Sequence, residues 1–415
     1  MSEKHSGWRK RFTLVWIGQA FSLLGSELVQ FSLVWYLTDT TRSASVLATA
    51  SFIALLPRVV LSPIMGALVD RWDRRKVMIL ADAGVALATL ALAAVFFFGS
   101  VRVWQIYLIL FLRSIGGGFH WPAYQVAVSE LVPEHQLTRI SGLNQTLQGA
   151  LSIAAPPAAA FLLSRFPIPS ILMIDIFTAS IAIVLLSMVR LPEPGSHRKD
   201  QPSLLQLWDE IREGFQYLLA WKSMFYLILG AAVLNFLINP GFTFTPLLIT
   251  GHFQKGVVEL GVIETAFGIG MVVGGMALSA WGGFRRNTDT ILTGIVGLAV
   301  GTAVLALSES HQFALAVVGM GIAGFMHPIA NGPLFAVIQK NVNLRYRGRV
   351  FSLVESIVSA MMPLSMAVAA ILGEWVAPRD WLMIASGGCF ILGCCGFFIP
   401  AVRNLEKARD QQHIS

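Results

Sequence analysis

Charge is scarce in this sequence. Of its 415 residues only 13% are Asp, Glu, Lys or Arg, against about 25% in a typical soluble domain. A soluble chain of this length needs a large charged surface, which this composition cannot supply, so a soluble multidomain enzyme is excluded. With 55% hydrophobic residues, a disordered chain is excluded as well. Cysteine is nearly missing: Cys389, Cys394 and Cys395 crowd one apolar run, lack paired metal-ligand spacing and read as small buried residues. No G-x-x-x-x-G-K-[ST] loop occurs, so ATP-driven work has no local support. No enzyme activity, metal site or bound cofactor is expected.

What is abundant is long apolar sequence. A membrane-spanning helix needs about 20 mostly apolar residues. Twelve runs qualify, at roughly 12–37, 43–69, 76–98, 103–127, 141–164, 169–190, 223–248, 257–281, 288–308, 312–337, 350–373 and 381–402. Many contain Gly or Pro, which membrane helices tolerate. A transmembrane β-barrel would show alternating segments of about ten residues, and these runs are continuous. The expected fold is an all-α membrane protein with twelve transmembrane helices. Span one is too long for a signal-peptide apolar region and lacks a small-residue cleavage pattern near Trp35-Tyr36-Leu37-Thr38, so it reads as retained.

The basic residues set the orientation. With the N-terminus placed inside, 23 of the 30 Lys and Arg fall in cytoplasmic segments and 5 outside, while Arg58 and Arg113 lie within spans. That asymmetry puts both termini in the cytoplasm. The excess base is an orientation signal and a contact with anionic lipid rather than a nucleic-acid footprint. The longest polar break, 191–222, opens with Pro192, Pro194 and Gly195. It continues with Leu204, Leu205, Leu207, Trp208, Ile211 and Phe215 at helical spacing, the pattern of an interfacial amphipathic helix. The break divides the chain into a six-helix half at 1–190, a linker at 191–222, a second half at 223–402 and a cytoplasmic tail at 403–415.

The halves repeat. Phe119-His120-Trp121-Pro122-Ala123 matches Phe325-Met326-His327-Pro328-Ile329, Arg139-Ile140-Ser141-Gly142-Leu143 matches Arg349-Val350-Phe351-Ser352-Leu353, and Arg74-Arg75 matches Arg285-Arg286. The matches run in order, at nearly constant offset, on one membrane side. Duplication of a six-span unit follows. Two such halves related by a pseudo-two-fold axis along the membrane normal suit alternating access around a central cavity.

Buried polar residues are the candidates for chemistry. Arg113 lies about ten residues into span four. A charge at that depth costs about 2.5–3.5 kcal/mol or more, so it must face the interior and find partners. Glu27 is near the middle of span one, where it could carry a proton, pair with a cationic substrate, or form a structural ion pair with Arg58 at comparable depth. Gln30, Asn235, Asn239, Glu264 and Asn331 are candidate cavity residues. Asn235 and Asn239 share a helix face just before Pro240-Gly241, where cavity lining and helix–helix hydrogen bonding are equal accounts. Asp175 and Glu355 read as packing pairs, Asp82 and Glu130 as solvated near the cytoplasmic boundary, and His120 and His327 as packing residues.

The stretch Gly66-Ala67-Leu68-Val69-Asp70-Arg71-Trp72-Asp73-Arg74-Arg75-Lys76 resembles the loop signature of the major facilitator superfamily, G-x-L-x-D-R-x-G-R-[RK], and falls between spans two and three as it does there. Asp73 stands where the family prefers Gly. The resemblance implies a conformational latch: Gly66 for close helix approach, Asp70 at a facing helix N-terminus, and Arg71, Arg74 and Arg75 pairing with carboxylates in the state closed to the cytoplasm. Arg113 with Gly117 resembles the family's R-x-x-x-G element in span four, where the arginine is tied to proton coupling. Leu151 to Ala160 resembles the antiporter signature G-x-x-x-G-P-x-x-G-G, with Leu and Ala replacing the glycines and Pro156 kept.

Within that superfamily, Trp16-Ile17-Gly18-Gln19, Val34-Trp35-Tyr36-Leu37-Thr38, Arg42-Ser43-Ala44-Ser45 and Asn144-Gln145-Thr146-Leu147-Gln148-Gly149 are most similar to macrolide-efflux-type permeases. The resemblance implies a monomeric, proton-driven exporter of lipophilic or cationic, macrolide-like compounds in a bacterial inner membrane. It needs no cofactor beyond the proton gradient, and its partners are an amphiphilic small molecule and membrane lipid. Export of a siderophore or other metabolite, lysophospholipid transport, and a non-transporting receptor or scaffold stay open as alternatives.

Overall fold

The computed structural model describes residues 7–99, 101–133, 136–189, 222–341 and 344–399. The linker at 191–222, apart from its last residue, and the tail at 403–415 lie outside them. Among the described residues there are twelve long helices and no strand. In the first half these are α1 (Trp8–Thr41), α2 (Ala44–Arg71), α3 (Arg74–Phe98), α4 (Val103–Leu131), α5 (Leu137–Arg165) and α6 (Ile168–Ser187). In the second they are α7 (Lys222–Thr243), α8 (Val257–Trp281), α9 (Asn287–Leu307), α10 (Phe313–Asn341), α11 (Leu344–Leu372) and α12 (Pro378–Phe398). A short helix at Thr245–Leu247 and a π-helical turn at Leu248–His252 follow α7.

Ten helices are long and apolar enough to cross a membrane among the described residues. The two expected spans outside that set are informative. Helix α4 carries Gln105 in its first turn and Arg113 and His120 further in, and the last two belong to the site described below. In helix α11 the apolar stretch among the described residues is Ser356–Leu372.

Local sequence explains several helix ends. Asp73 caps α3: its carboxylate accepts from the backbone N–H groups of Arg75 (2.9 Å) and Lys76 (3.4 Å). The residue that departs from the superfamily signature therefore performs an N-cap's work. The equivalent turn of the second half is built differently. Helix α8 ends at Gly282 and Gly283, both at positive φ (79° and 82°), where a side chain would be strained.

The chain forms two compact units, residues 1–42 with 49–199, and residues 43–48 with 200–415. Within the first, α1 packs on α5 and α6, and α3 on α4 and α6. Within the second, α7 packs on α11 and α12, and α9 on α10 and α12. Each of these four pairings has its counterpart six helices on, as duplication requires. Apolar side chains such as Leu80, Leu87, Phe98 and Ile391 remain exposed, marking surface that hydrocarbon would cover.

Glycines set the closest approaches. A Cβ at Gly274 would collide with the Phe325 carbonyl, and one at Gly324 would lie 2.9 Å from the Phe267 carbonyl carbon, so α8 and α10 touch backbone to backbone. Gly275, one residue on, faces open space. Overpacking costs about 1–3 kcal/mol. Gly274→Ala should therefore lower the thermal unfolding temperature of the detergent-purified protein, while Gly275→Ala leaves it level or raises it. Equal effects would refute the close contact.

Candidate functional site

The first unit encloses a polar cavity of about 300 Å³. Its lining includes Glu27 and Gln30 from α1, Arg58 from α2, Asp82 from α3, Arg113 and His120 from α4, and Asp175 from α6. Three of the residues singled out by charge, Glu27, Arg58 and Arg113, are thus brought to one space, together with Gln30.

At its centre is an ion pair. Arg113 Nη1 lies 2.5 Å from Asp175 Oδ2, with side-chain exposures of 10% and 1%. The expectation that Asp175 serves only packing gives way here, because a guanidinium at this depth needs a counter-charge and Asp175 provides it. The surrounding helices complete the pair. The Thr89 hydroxyl accepts from Arg113 (2.6 Å) and stands 3.0 Å from Asp175 Oδ2, while Ser26 donates to Asp175 Oδ1 (3.3 Å). Four helices, α1, α3, α4 and α6, therefore meet at one carboxylate.

Gly25 makes this meeting possible. A Cβ there would collide with the Thr178 hydroxyl and lie 3.0 Å from Asp175 Cα, so any side chain at 25 would push α6 away from α1. Gly117, in the R-x-x-x-G element, meets nothing within 4 Å and lines the cavity instead. Its neighbours do the packing, with Gly116 against Val85 and Gly118 against Met65.

Glu27 is exposed into the cavity. Among the described residues it has no ion-pair or hydrogen-bond partner, and Arg58 likewise forms no ion pair. A fixed Glu27–Arg58 pair is not what the structure contains. Arg113 acts on Glu27 electrostatically, but its ion pair is with Asp175.

A second polar layer lies two turns away. Gln19 Nε2 donates to Asp82 Oδ2 (3.4 Å), and His120 Nε2 lies 3.5 Å from Asp82 Oδ1. Asp82 is 7% exposed, which corrects the expectation of a solvated boundary residue. Helix α3 begins at Arg74, so Asp82 is eight residues, about 12 Å, inside it. Nor is His120 only a packing residue, since its ring faces a carboxylate. Glu130 pairs with Arg74 at 3.4 Å rather than standing free in solvent. Nearby, Asn144 Oδ1 accepts from Trp16 Nε1 (3.0 Å) and the Tyr124 hydroxyl (3.1 Å), tying α1, α4 and α5 together.

Of the latch residues, Gly66, Asp70 and Arg71 lie in α2 with side chains outside the described set. Arg74 is buried and pairs with Glu130, and Arg75 donates to the Ser187 carbonyl, both inside the first unit. In the second unit, Asn235 and Asn331 line a separate cavity of about 250 Å³ with Tyr226, Leu229, Ile291 and Leu334. Asn239 and Glu264 line neither cavity. The amides of Asn235, Asn239 and Asn331 donate to carbonyls four residues back on their own helices, at 3.0, 2.6 and 3.0 Å.

A duplicated bundle of membrane-length helices, with charged groups lining a cavity inside one repeat, defines a polytopic transporter-type membrane protein. Residues 15–362 match the Major Facilitator Superfamily model. The chain is 34% identical over 406 residues to macrolide efflux protein A of Streptococcus pyogenes, covering 98% of this chain and 99% of that one. It is 34% identical over 325 residues to the macrolide efflux protein A of Enterococcus faecalis, covering 78% and 99%. Among solved structures, a D-xylose-proton symporter superposes with a TM-score of 0.70 at 15% identity, over 94% of this chain and 97% of the other. The chain belongs to the major facilitator superfamily, a family of membrane transporters.

Breaking a buried ion pair by removing one partner costs about 3–5 kcal/mol, whereas removing both charges costs much less. Asp175→Asn should accordingly lower thermal stability sharply, and Arg113→Gln added to it should recover part of the loss. A double variant no more stable than the single one would contradict the pairing.

Proposed function

We propose that this protein is a secondary active exporter that couples the proton gradient to the outward movement of lipophilic or cationic, macrolide-like compounds by alternating access. One observation carries the reading: Glu27 opens onto the cavity without an ion-pair partner among the described residues, while the buried Arg113 that lines the same cavity is paired with Asp175. An acid in that position can take up a proton or hold a cation, but not both together, and this competition is what an antiporter needs. Likeness to macrolide efflux proteins over nearly the full length supports the substrate class. The Lys and Arg asymmetry supports a bacterial inner-membrane location with both termini cytoplasmic. The protein works as a monomer, with the proton gradient as its energy source and lipid as its surroundings.

A second reading rests on Arg58. It too lines the cavity without an ion pair among the described residues, and a cation so placed suits an anionic cargo such as a siderophore or another secreted metabolite. The apolar cavity of the second unit also suits the acyl chain of a lysophospholipid.

Growth of a pump-deficient host on erythromycin and ethidium separates these. The wild-type protein should raise tolerance to both, and Glu27→Gln at equal membrane expression should return it to the empty-vector level. Full tolerance in Glu27→Gln would remove Glu27 from the mechanism. No tolerance across a broad drug panel would exclude drug export and leave the metabolite and lipid readings, to be examined by secreted-siderophore and membrane lysolipid analysis.

A further inference from the structure

The cavity of the first unit is built from two polar layers with a common spacing. On α1 the residues are Gln19 and Ser26, on α3 Asp82 and Thr89, and on α4 His120 and Arg113. Each pair is seven residues apart, two helical turns or about 10 Å. Ser26, Thr89 and Arg113 gather around Asp175. Gln19 and His120 gather around Asp82. Because α1 and α3 run opposite to α4, the two sets stack as separate storeys. The Asp82 storey is nearer the cytoplasm in the orientation that the basic residues favour.

The storeys differ in chemistry. In the upper one the positive charge is a guanidinium, which stays protonated in proteins, so the Arg113–Asp175 pair can hold its charges fixed. In the lower one the basic group is an imidazole, the side chain whose charge changes near neutral pH. His120 Nε2 is buried and has no hydrogen-bond partner, although a carboxylate oxygen stands 3.5 Å away. A histidine locked for packing would use that nitrogen. This one is left facing the acid, and both residues line the same cavity as Glu27.

The charged and titratable groups around His120 are few. Asp82 faces it from α3. Tyr124 lies against its ring from the next turn of α4, at 6.5 Å. Glu27 (α1), Arg58 (α2), Arg113 (α4) and Asp175 (α6) line the shared cavity above. From α5 the neighbouring groups are the neutral Asn144 and Gln148. Gln19, 4% exposed, anchors Asp82 without contributing charge.

We infer that His120 and Asp82 form a second proton-holding station, through which a proton taken up at Glu27 leaves toward the cytoplasm. The inference rests on the proton-coupled reading above. In the transfer, the Glu27 O–H bond breaks and the His120 Nε2–H bond forms. Glu27 becomes a carboxylate free to attract a cation, and the new imidazolium is balanced by Asp82. Release to the cytoplasm then restores neutral imidazole. A cavity of about 300 Å³ can hold a short chain of waters, at about 30 Å³ each, to carry the proton between storeys.

Everted membrane vesicles containing the full chain test this, with radiolabelled erythromycin and ethidium as probes. Two rates are compared: accumulation driven by a respiratory proton gradient, and exchange of the same compound with no gradient. His120→Gln and Asp82→Asn should each lower the ratio of driven accumulation to exchange by about tenfold. They should also flatten the dependence of driven accumulation on external pH. Asp82→Glu should restore much of the ratio. An unchanged ratio and pH profile in His120→Gln and Asp82→Asn would overturn the station while leaving proton coupling intact. So would a parallel loss of both rates, unrelieved in Asp82→Glu, which would make the pair structural. Wild-type accumulation that survives an uncoupler, or is missing for both probes, would overturn the exporter reading itself and this inference with it.

Discussion

A guanidinium placed in the middle of a membrane-spanning helix has to be neutralised nearby, because neither lipid nor a tightly packed bundle can solvate it. Here Asp175 does so at 2.5 Å, and the rest of the first unit is arranged around that need. Gly25 removes the side chain that would separate α1 from α6. Thr89 and Ser26 supply hydroxyls to the same carboxylate. The ion pair of Arg113 is made with Asp175, and Glu27 stands on the same cavity without an ion pair among the described residues.

The duplication supplies a frame but not a duplicated site. The two units share four helix pairings, yet their cavities differ in character. The first is lined by acids, arginines and a histidine; the second is lined mainly by aliphatic side chains with Asn235 and Asn331. The repeat sets His120 against Met326; His120 faces Asp82, while His327, one residue further on, lies against the Phe267 ring at 5.8 Å. The same helical scaffold can carry ionisable groups in one half and an apolar surface in the other, because a lining residue can change without altering the packing faces behind it. An amphiphilic cargo, with one charged end and one greasy end, suits such a division.

Much of this was legible beforehand. Apolar runs of span length, the basic asymmetry and the repeat gave the helical membrane class, and the loop at Gly66 to Lys76 gave the family. Arg113 stood out because a charge so deep is costly. Asp175 was read as one of a packing pair and not as the partner of Arg113, although α6 starts from the same membrane side as α4 and Asp175 lies at similar depth, seven residues into α6 where Arg113 is ten into α4. Asp82 was misplaced because its distance from the boundary depends on where α3 begins, and Asp73, where the signature has Gly, caps that helix and starts it at Arg74.

The sequence by itself determined the solvent, the number of long helices and the internal duplication, since these follow from apolar length and pattern, which act locally along the chain. It also singled out Arg113 and Glu27 as charges deep in their spans. Only the tertiary structure decided which of them meet. Pairing depends on helix rotation and on the distance between axes, and these are set by packing between helices distant in sequence, such as α1 against α6 at Gly25. For that reason Arg113 found Asp175, Asp82 found His120, and Glu27 was left open.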